Sequence, residues 1–249
     1  MKAYRIRLGL AGVLPAVLIA SLSATEGTTP QKSRPSLQVG TLRVGKVLFL
    51  GNSITLHGPA ENIGWSGNWG MAASAAEKDY VHLLLDRIAK IAGGKPRVMV
   101  RNIADFERNL SEFKIDENLK EELAFEADVV ILAIGENVAT LKTDEDRTRF
   151  QAALSNLVEQ LRRSGHPTLF VRSQFWPDAG KDEVLKKVCR EAGGTFIDIG
   201  ALGRVEANFA RSERKIDHEG VAGHPGDKGM AAIAEELWNA IKHAGEAPN

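Results

Sequence analysis

The feature that most constrains this chain is a repeated alternation of short apolar runs with amphipathic stretches. Runs rich in Val, Ile, Leu and Phe fall at about 46–50, 97–102, 128–134, 168–172 and 195–199. Each is too short for a helix and ends in polar or glycine-containing sequence, which is the pattern of a strand covered on both faces. Between them apolar residues recur at helical spacing. Tyr80, Leu84, Ile88 and Ile91 form one such stripe, and Phe150, Leu154, Leu157 and Leu161 another. Further helical segments are expected over 181–192 and 227–242, and a weaker one between the second run and Phe125. Strand–helix alternation of this kind implies a parallel sheet joined by right-handed crossovers. The expected class is α/β, a three-layer α/β/α arrangement around a five-stranded parallel sheet.

Ligands bind such sheets outside the carboxyl ends of the strands, so the residues that follow each run carry the functional information. The first run, Val47-Leu48-Phe49-Leu50, leads straight into Gly51-Asn52-Ser53-Ile54. The third ends at Gly135, with Asn137 two residues on. A Gly/Pro-rich loop, Gly220 to Gly229, holds His224 just before the last helical segment. Acyl transfer by serine needs a hydroxyl nucleophile, a base within hydrogen-bond reach and N–H donors aimed at the developing oxyanion. Ser53, His224 and Asn137 are of the right types. Each also has an ordinary structural reading: a helix-capping serine, a loop histidine and an Asx turn.

The three blocks in this order resemble the SGNH hydrolases, the GDSL-type esterases. Gly51-Asn52-Ser53-Ile54 matches the Gly-Asp-Ser-Leu block with asparagine for aspartate, Gly135-Glu136-Asn137 the Gly-x-Asn block, and His224-Pro225 the final His-Pro block. The resemblance implies a flavodoxin-like SGNH hydrolase fold and catalysis through an acyl-serine. Ser53 would be the nucleophile and His224 the base. The oxyanion hole would be built from the Ser53 backbone N–H, the Asn137 side-chain amide and a backbone N–H after the second strand. Two departures stand out. The family's glycine after the second strand is missing from Val100-Arg101-Asn102-Ile103-Ala104-Asp105, which leaves Ala104 to supply the third donor. The family's aspartate three residues before the histidine is Val221 here. Glu219 and Asp217 are the candidates to orient His224, and a Ser–His dyad with the ring held by a backbone carbonyl is the alternative.

Trp65 and Trp69 lie in the long loop after Ser53, and Trp176 follows the fourth run. Three indoles at the expected mouth suit stacking on sugar rings, the alternative being that they pin the loops. Trp238 belongs to the core. The expected function is a secreted serine esterase acting on O-acyl, foremost O-acetyl, esters of carbohydrate. The alternatives are a lipid or aryl-ester esterase or lysophospholipase of the same fold, and a non-catalytic carbohydrate-binding protein on a degenerate hydrolase fold. No aliphatic groove or amphipathic lid is visible to favour lipid.

The remaining sequence sets boundaries. Residues 1–24 read as a secretory signal: Lys2, Arg5 and Arg7 precede the apolar stretch Leu8–Ile19, and small residues follow at Ala20, Ser21, Ser23 and Ala24. Residues 25–40, polar and with two prolines, read as a flexible leader, and 44–245 as the hydrolase domain. The expected location is secreted or periplasmic, with no stable membrane insertion after cleavage. A formal net charge of zero and the lack of a basic stripe argue against nucleic acid. Cys189 is the only cysteine, so no intramolecular disulfide forms, and its helical context reads as core. No His/Cys cluster has zinc spacing, and no metal or other cofactor is expected. The nearest grouping is Asp217-His218 with His224.

Overall fold

A computed structural model describes residues 36–246. The expected signal, and the leader up to residue 35, lie outside the described residues. The last leader residues differ from expectation. Gln38–Val39 (β1) pairs antiparallel with Leu42–Arg43 (β2), and Val39 and Leu42 are buried. The Thr41 N–H donates to the Gly245 carbonyl at 2.8 Å, tying this hairpin to the end of the last helix. Two-residue strands carry no periodicity, which is why the sequence reads as leader.

The main sheet has five parallel strands: Lys46–Gly51 (β3), Arg97–Asn102 (β4), Val129–Ala133 (β5), Thr168–Arg172 (β6) and Thr195–Ile197 (β7). Their order is β4-β3-β5-β6-β7. Side chains alternate between faces. Val47 and Phe49 of β3 pack under Tyr80–Ala92 (α1) and Asp227–Gly245 (α8), with Trp238 at the edge of that core. Leu48 and Leu50 face the opposite core, closed by Asp144–Gly165 (α5) and Ala179–Glu191 (α6). The weak helical region resolves into three short helices, Ala104–Asn109 (α2), Ile115–Asn118 (α3) and Lys120–Ala124 (α4), which cover the same face. Phe49 and Phe170 are fully buried, and truncating either to alanine costs about 3–5 kcal/mol. Cys189 is buried too, and burial pushes its thiol up to about 11, away from reactivity.

Side-chain caps set the helix starts. Asp79 accepts from the His82 N–H at 2.8 Å to open α1, and Thr143 with Asp146 forms a reciprocal capping box on α5. The carboxyl end of α5 is closed by His166 in the left-handed region, at φ 51°, one residue beyond Gly165.

Strand order reverses at β3, so the crevice beyond β3 and β5 is the topological switch point. Gly51 stands in register with Asn102 on one side and Ala133 on the other. The loops that carry Ser53, Ala104 and Asn137 therefore leave the sheet side by side. Gly51 is required there: a Cβ would lie 1.9 Å from Thr55 Oγ1 and 3.0 Å from the Ala133 carbonyl.

Candidate active site

Ser53 leaves β3 through a tight turn in which the Thr55 and Leu56 N–H groups donate to the Asn52 carbonyl. Its Oγ lies 2.8 Å from His224 Nε2. The partner histidine arrives from the other end of the chain, after the one-turn helix Glu219–Ala222 (α7). Its Nδ1 lies 2.6 Å from the Gly220 carbonyl. A carbonyl only accepts, so Nδ1 carries the proton and Nε2 is left to accept the Ser53 hydroxyl proton. Trp176 packs edge-on against the imidazole, with ring centroids 5.1 Å apart, and donates its Nε1–H to the Gly223 carbonyl at 3.2 Å. Burial lowers the His224 pKa below its ordinary value, against the opposing pull of the Gly220 bond and the Glu136 charge.

Neither candidate acid reaches the ring. Asp217 is exposed and pairs with Lys215 at 3.5 Å. Glu219 is exposed at the start of α7, and its carboxylate makes no hydrogen bond among the described residues. Glu213, another carboxylate of this charged run, accepts from the Asp227 and Lys228 N–H groups at 2.7 Å each and so caps α8. The group on Nδ1 is the Gly220 carbonyl alone. Glu219→Gln and Asp217→Asn are accordingly expected to keep kcat within about twofold of the parent, because neither removes the bond that fixes the tautomer. A loss of orders of magnitude in either variant, with the melting temperature unchanged, would return the orienting role to that acid.

Asn137 is held from both sides. Its Nδ2 donates to Glu107 Oε2 at 2.8 Å, and its Oδ1 accepts from Arg108 at 3.2 Å. Glu107, on α2, is buried, and its Oε1 also accepts from the Gly135 N–H at 2.6 Å and the Asn137 N–H at 3.1 Å. One N–H of the Asn137 amide remains for a ligand, and the Ser53 N–H has no acceptor among the described residues. Ala104 departs from expectation. Its N–H donates to Asn102 Oδ1 at 2.9 Å and is not open to the cleft as a third donor.

Beneath these loops runs a buried polar network that the sequence reading misses. Asn52 donates its Nδ2 to Glu136 at 2.7 Å and to Glu107 at 3.3 Å, while its Oδ1 accepts from the Ile54 N–H at 3.2 Å. Glu136 takes a 2.6 Å bond from the fully buried Arg172 and a 3.1 Å bond from the Phe175 N–H. Burial, with the charge of Glu136 beside it, raises the Glu107 pKa, and the bonds from Asn137 and Gly135 oppose the rise. Two buried carboxyls thus lie close together with only Glu136 bonded to the guanidinium, and Asn52 bridges them with N–H donors where an aspartate would add a third carboxyl. That explains asparagine at this position. Asn52→Asp, which restores the more usual block, is expected to destabilise the protein by about 3 kcal/mol. Denaturant melts of the two proteins check this, and equal stability would mean that the network tolerates another acid.

The tryptophans are placed differently from expectation. Trp65 is buried against Met71, Ala72, Ala210 and Val221, and its Nε1 donates to the His57 carbonyl at 3.0 Å. Trp69 stacks edge-on against it and donates to the Ala73 carbonyl at 3.0 Å. Trp65 thereby fastens the loop after Ser53 to the α7 segment that precedes His224. None of the three indoles lines the cleft, and all three N–H groups are used inside the protein. The cleft, about 570 Å³, is walled instead by His57, Arg101, Asp105, Arg108, Asn137 and His218 around Ser53 and His224. Ile63, Met71 and Val221 are its main apolar surfaces. Arg101, Arg108, His57 and His218 carry no motif that the sequence reading recognised.

The model of the GDSL-like Lipase/Acylhydrolase family matches residues 49–232, a span that contains Ser53, Asn137 and His224. No curated protein sequence matches the chain. Solved structures share the fold. A protein called a GDSL-like lipase from Parabacteroides merdae is 16% identical, with a TM-score of 0.53, covering 83% of this chain and 99% of that one. One from Bacteroides uniformis is 14% identical, with a TM-score of 0.52, covering 81% and 97%. The acetyl xylan esterase AlAXEase is 16% identical, with a TM-score of 0.50, covering 79% and 99%.

Proposed function

The chain belongs to the GDSL-like Lipase/Acylhydrolase family, a family of ester hydrolases, and from that premise we propose that it is a serine esterase acting on O-acyl, foremost O-acetyl, esters of carbohydrate. One observation carries the reading: Ser53 Oγ sits 2.8 Å from a His224 whose other nitrogen is held at 2.6 Å by the Gly220 carbonyl. His224 Nε2 takes the Ser53 proton as Oγ attacks the acyl carbon. The oxyanion forms against the Ser53 N–H and the free N–H of Asn137. Imidazolium then protonates the leaving alcohol, and His224 activates water against the acyl-serine. A main-chain carbonyl fixes the tautomer as an aspartate would, but brings no full charge to the imidazolium, so part of the usual stabilisation is given up.

The carbohydrate reading rests on the cleft wall. Its polar side chains suit a hydroxyl-rich alcohol, and its main apolar surface is one small cluster, Ile63, Met71 and Val221, of a size for a short acyl group. Acetate release from acetylated oligosaccharides, set against hydrolysis of long-chain esters, is the test. Faster turnover of the long-chain esters would overturn the carbohydrate reading. The amino-terminal segment supports secretion or a periplasmic location, checked by sequencing the mature amino terminus. Among the described residues no helix is long and apolar enough to cross a membrane.

The lowered His224 pKa gives a pH expectation. The base acts only when neutral, and a depressed pKa keeps it neutral further into acid. The acidic limb of kcat/KM is therefore expected below pH ~6.5, the ordinary histidine value, with a plateau above it. Profiles over pH 4–9 read this directly, and a limb above the ordinary value would contradict a buried neutral base.

A further inference from the structure

The cleft presents two guanidiniums that ester hydrolysis does not require. Arg101 and Arg108 both line it, and Asp105 is the one carboxylate that does. Arg101 stands near the end of β4 with its side chain 55% exposed. It is ion-paired with the largely buried Glu122, Nε to Oε1 3.7 Å, but the pair is too long for a hydrogen bond, and its guanidinium N–H groups make none among the described residues. Glu122 lies behind Arg101, on α4, and is not part of the cleft wall. Arg108 gives one 3.3 Å bond to Asp105 and one 3.2 Å bond to the uncharged Asn137 Oδ1. Asp105 is 81% exposed, so solvent screens most of its hold on Arg108. The two guanidiniums therefore keep open donors toward the space that contains Ser53. A neutral acetylated sugar offers them oxygen acceptors but no opposite charge. The planar fork of a guanidinium matches a carboxylate, and a cleft of about 570 Å³ has room for a sugar ring beside the acyl group.

We propose that the substrate of this site is an acidic sugar: the alcohol half of the ester carries a carboxylate that Arg101 and Arg108 bind while Ser53 meets the acyl carbon. An acetyl group carries no charge, so the carboxylate belongs to the alcohol half. The proposal rests on the esterase reading above and deepens it. Arg108 also touches Asn137, so its substitution would mix binding with chemistry, and Arg101 is the residue to vary.

The experiment compares acetylated oligogalacturonides with the same material after methyl esterification of its carboxylates, reading acetate release. The two substrates share acetyl positions and differ only at the carboxyl group, which is charged in one and a neutral methyl ester in the other. The wild-type protein is expected to favour the free acid by tenfold or more in kcat/KM, mainly through KM, and 0.5 M salt should shrink the preference. Arg101→Gln should cut the acid-to-ester ratio about tenfold, and Arg101→Lys should restore part of it, with melting temperatures confirming the fold. A ratio near one in the wild-type protein, or a ratio unchanged in Arg101→Gln, overturns the proposal while leaving the esterase reading in place. A protein that hydrolyses neither these substrates nor 4-nitrophenyl acetate overturns both.

Discussion

Ser53→Ala is expected to lower kcat toward acetyl esters by about 10⁴–10⁶, with KM and stability little changed. In the proposed mechanism the hydroxyl oxygen makes the covalent bond, and no neighbouring group replaces it. Thr55 Oγ1, the closest hydroxyl in sequence, is buried and bonded to the Tyr80 hydroxyl at 2.7 Å. Removing Oγ should not disturb the fold, because Ser53 is only half-buried and its one side-chain bond is to His224. His224→Ala should fall almost as far, and the double variant no further than the worse single one, since the two side chains act as a unit. Steady-state kinetics with thermal melts of all three proteins check this. Activity within tenfold of the parent in Ser53→Ala would remove it as nucleophile and turn attention to a binding protein on a hydrolase scaffold.

The parts of this arrangement differ in how far they can be read from the chain. The five strands are legible because each is covered on both faces, so each is a nearly unbroken apolar run such as Val129–Ala133. That Ser53, Asn137 and His224 meet at one cleft is legible because a parallel sheet delivers its loops to one edge, and each sits just past an element. What orients His224 is not legible, since a backbone carbonyl leaves no mark in residue type. Sequence therefore directs attention to Glu219 and Asp217, which solvate a surface turn instead. The network under Ser53 is hidden for another reason. Asn52 meets Glu107 and Glu136 across separations of 55 and 84 residues, and each looks alone like ordinary loop or helix polarity. A buried carboxyl on an otherwise weak helix is the one signal available. Phe106-Glu107 places an acid beside a fully buried aromatic. The tryptophans mislead because nearness to Ser53 in sequence says nothing of where an indole points. Trp65 turns inward, and it is the cationic side chains that face the cleft.

Asn137→Ala is expected to lower kcat by about 10²–10³ with a much smaller change in KM, the usual loss for one oxyanion donor, because the bond matures only as charge appears on the carbonyl oxygen. The loss should lie toward the upper end here, since the Ala104 N–H is tied to Asn102 and the hole has fewer donors to share the charge. Glu107 makes the same point from behind. It accepts from the Gly135 N–H, the Asn137 N–H and the Asn137 amide, all donors, so its carboxylate is the template that aims the remaining amide N–H at the cleft. Glu107→Gln substitutes an NH₂ for one oxygen and sets donor against donor. It should cost about 1–3 kcal/mol of stability and lower kcat about tenfold or more, again with KM little affected. Glu107→Asp keeps the acceptors on a shorter arm and should recover part of the rate. Measuring kcat, KM and melting temperature across the three variants separates the possibilities. If Glu107→Gln loses stability alone while kcat holds, the carboxylate merely supports the fold, and the Asn137 amide finds its aim without it.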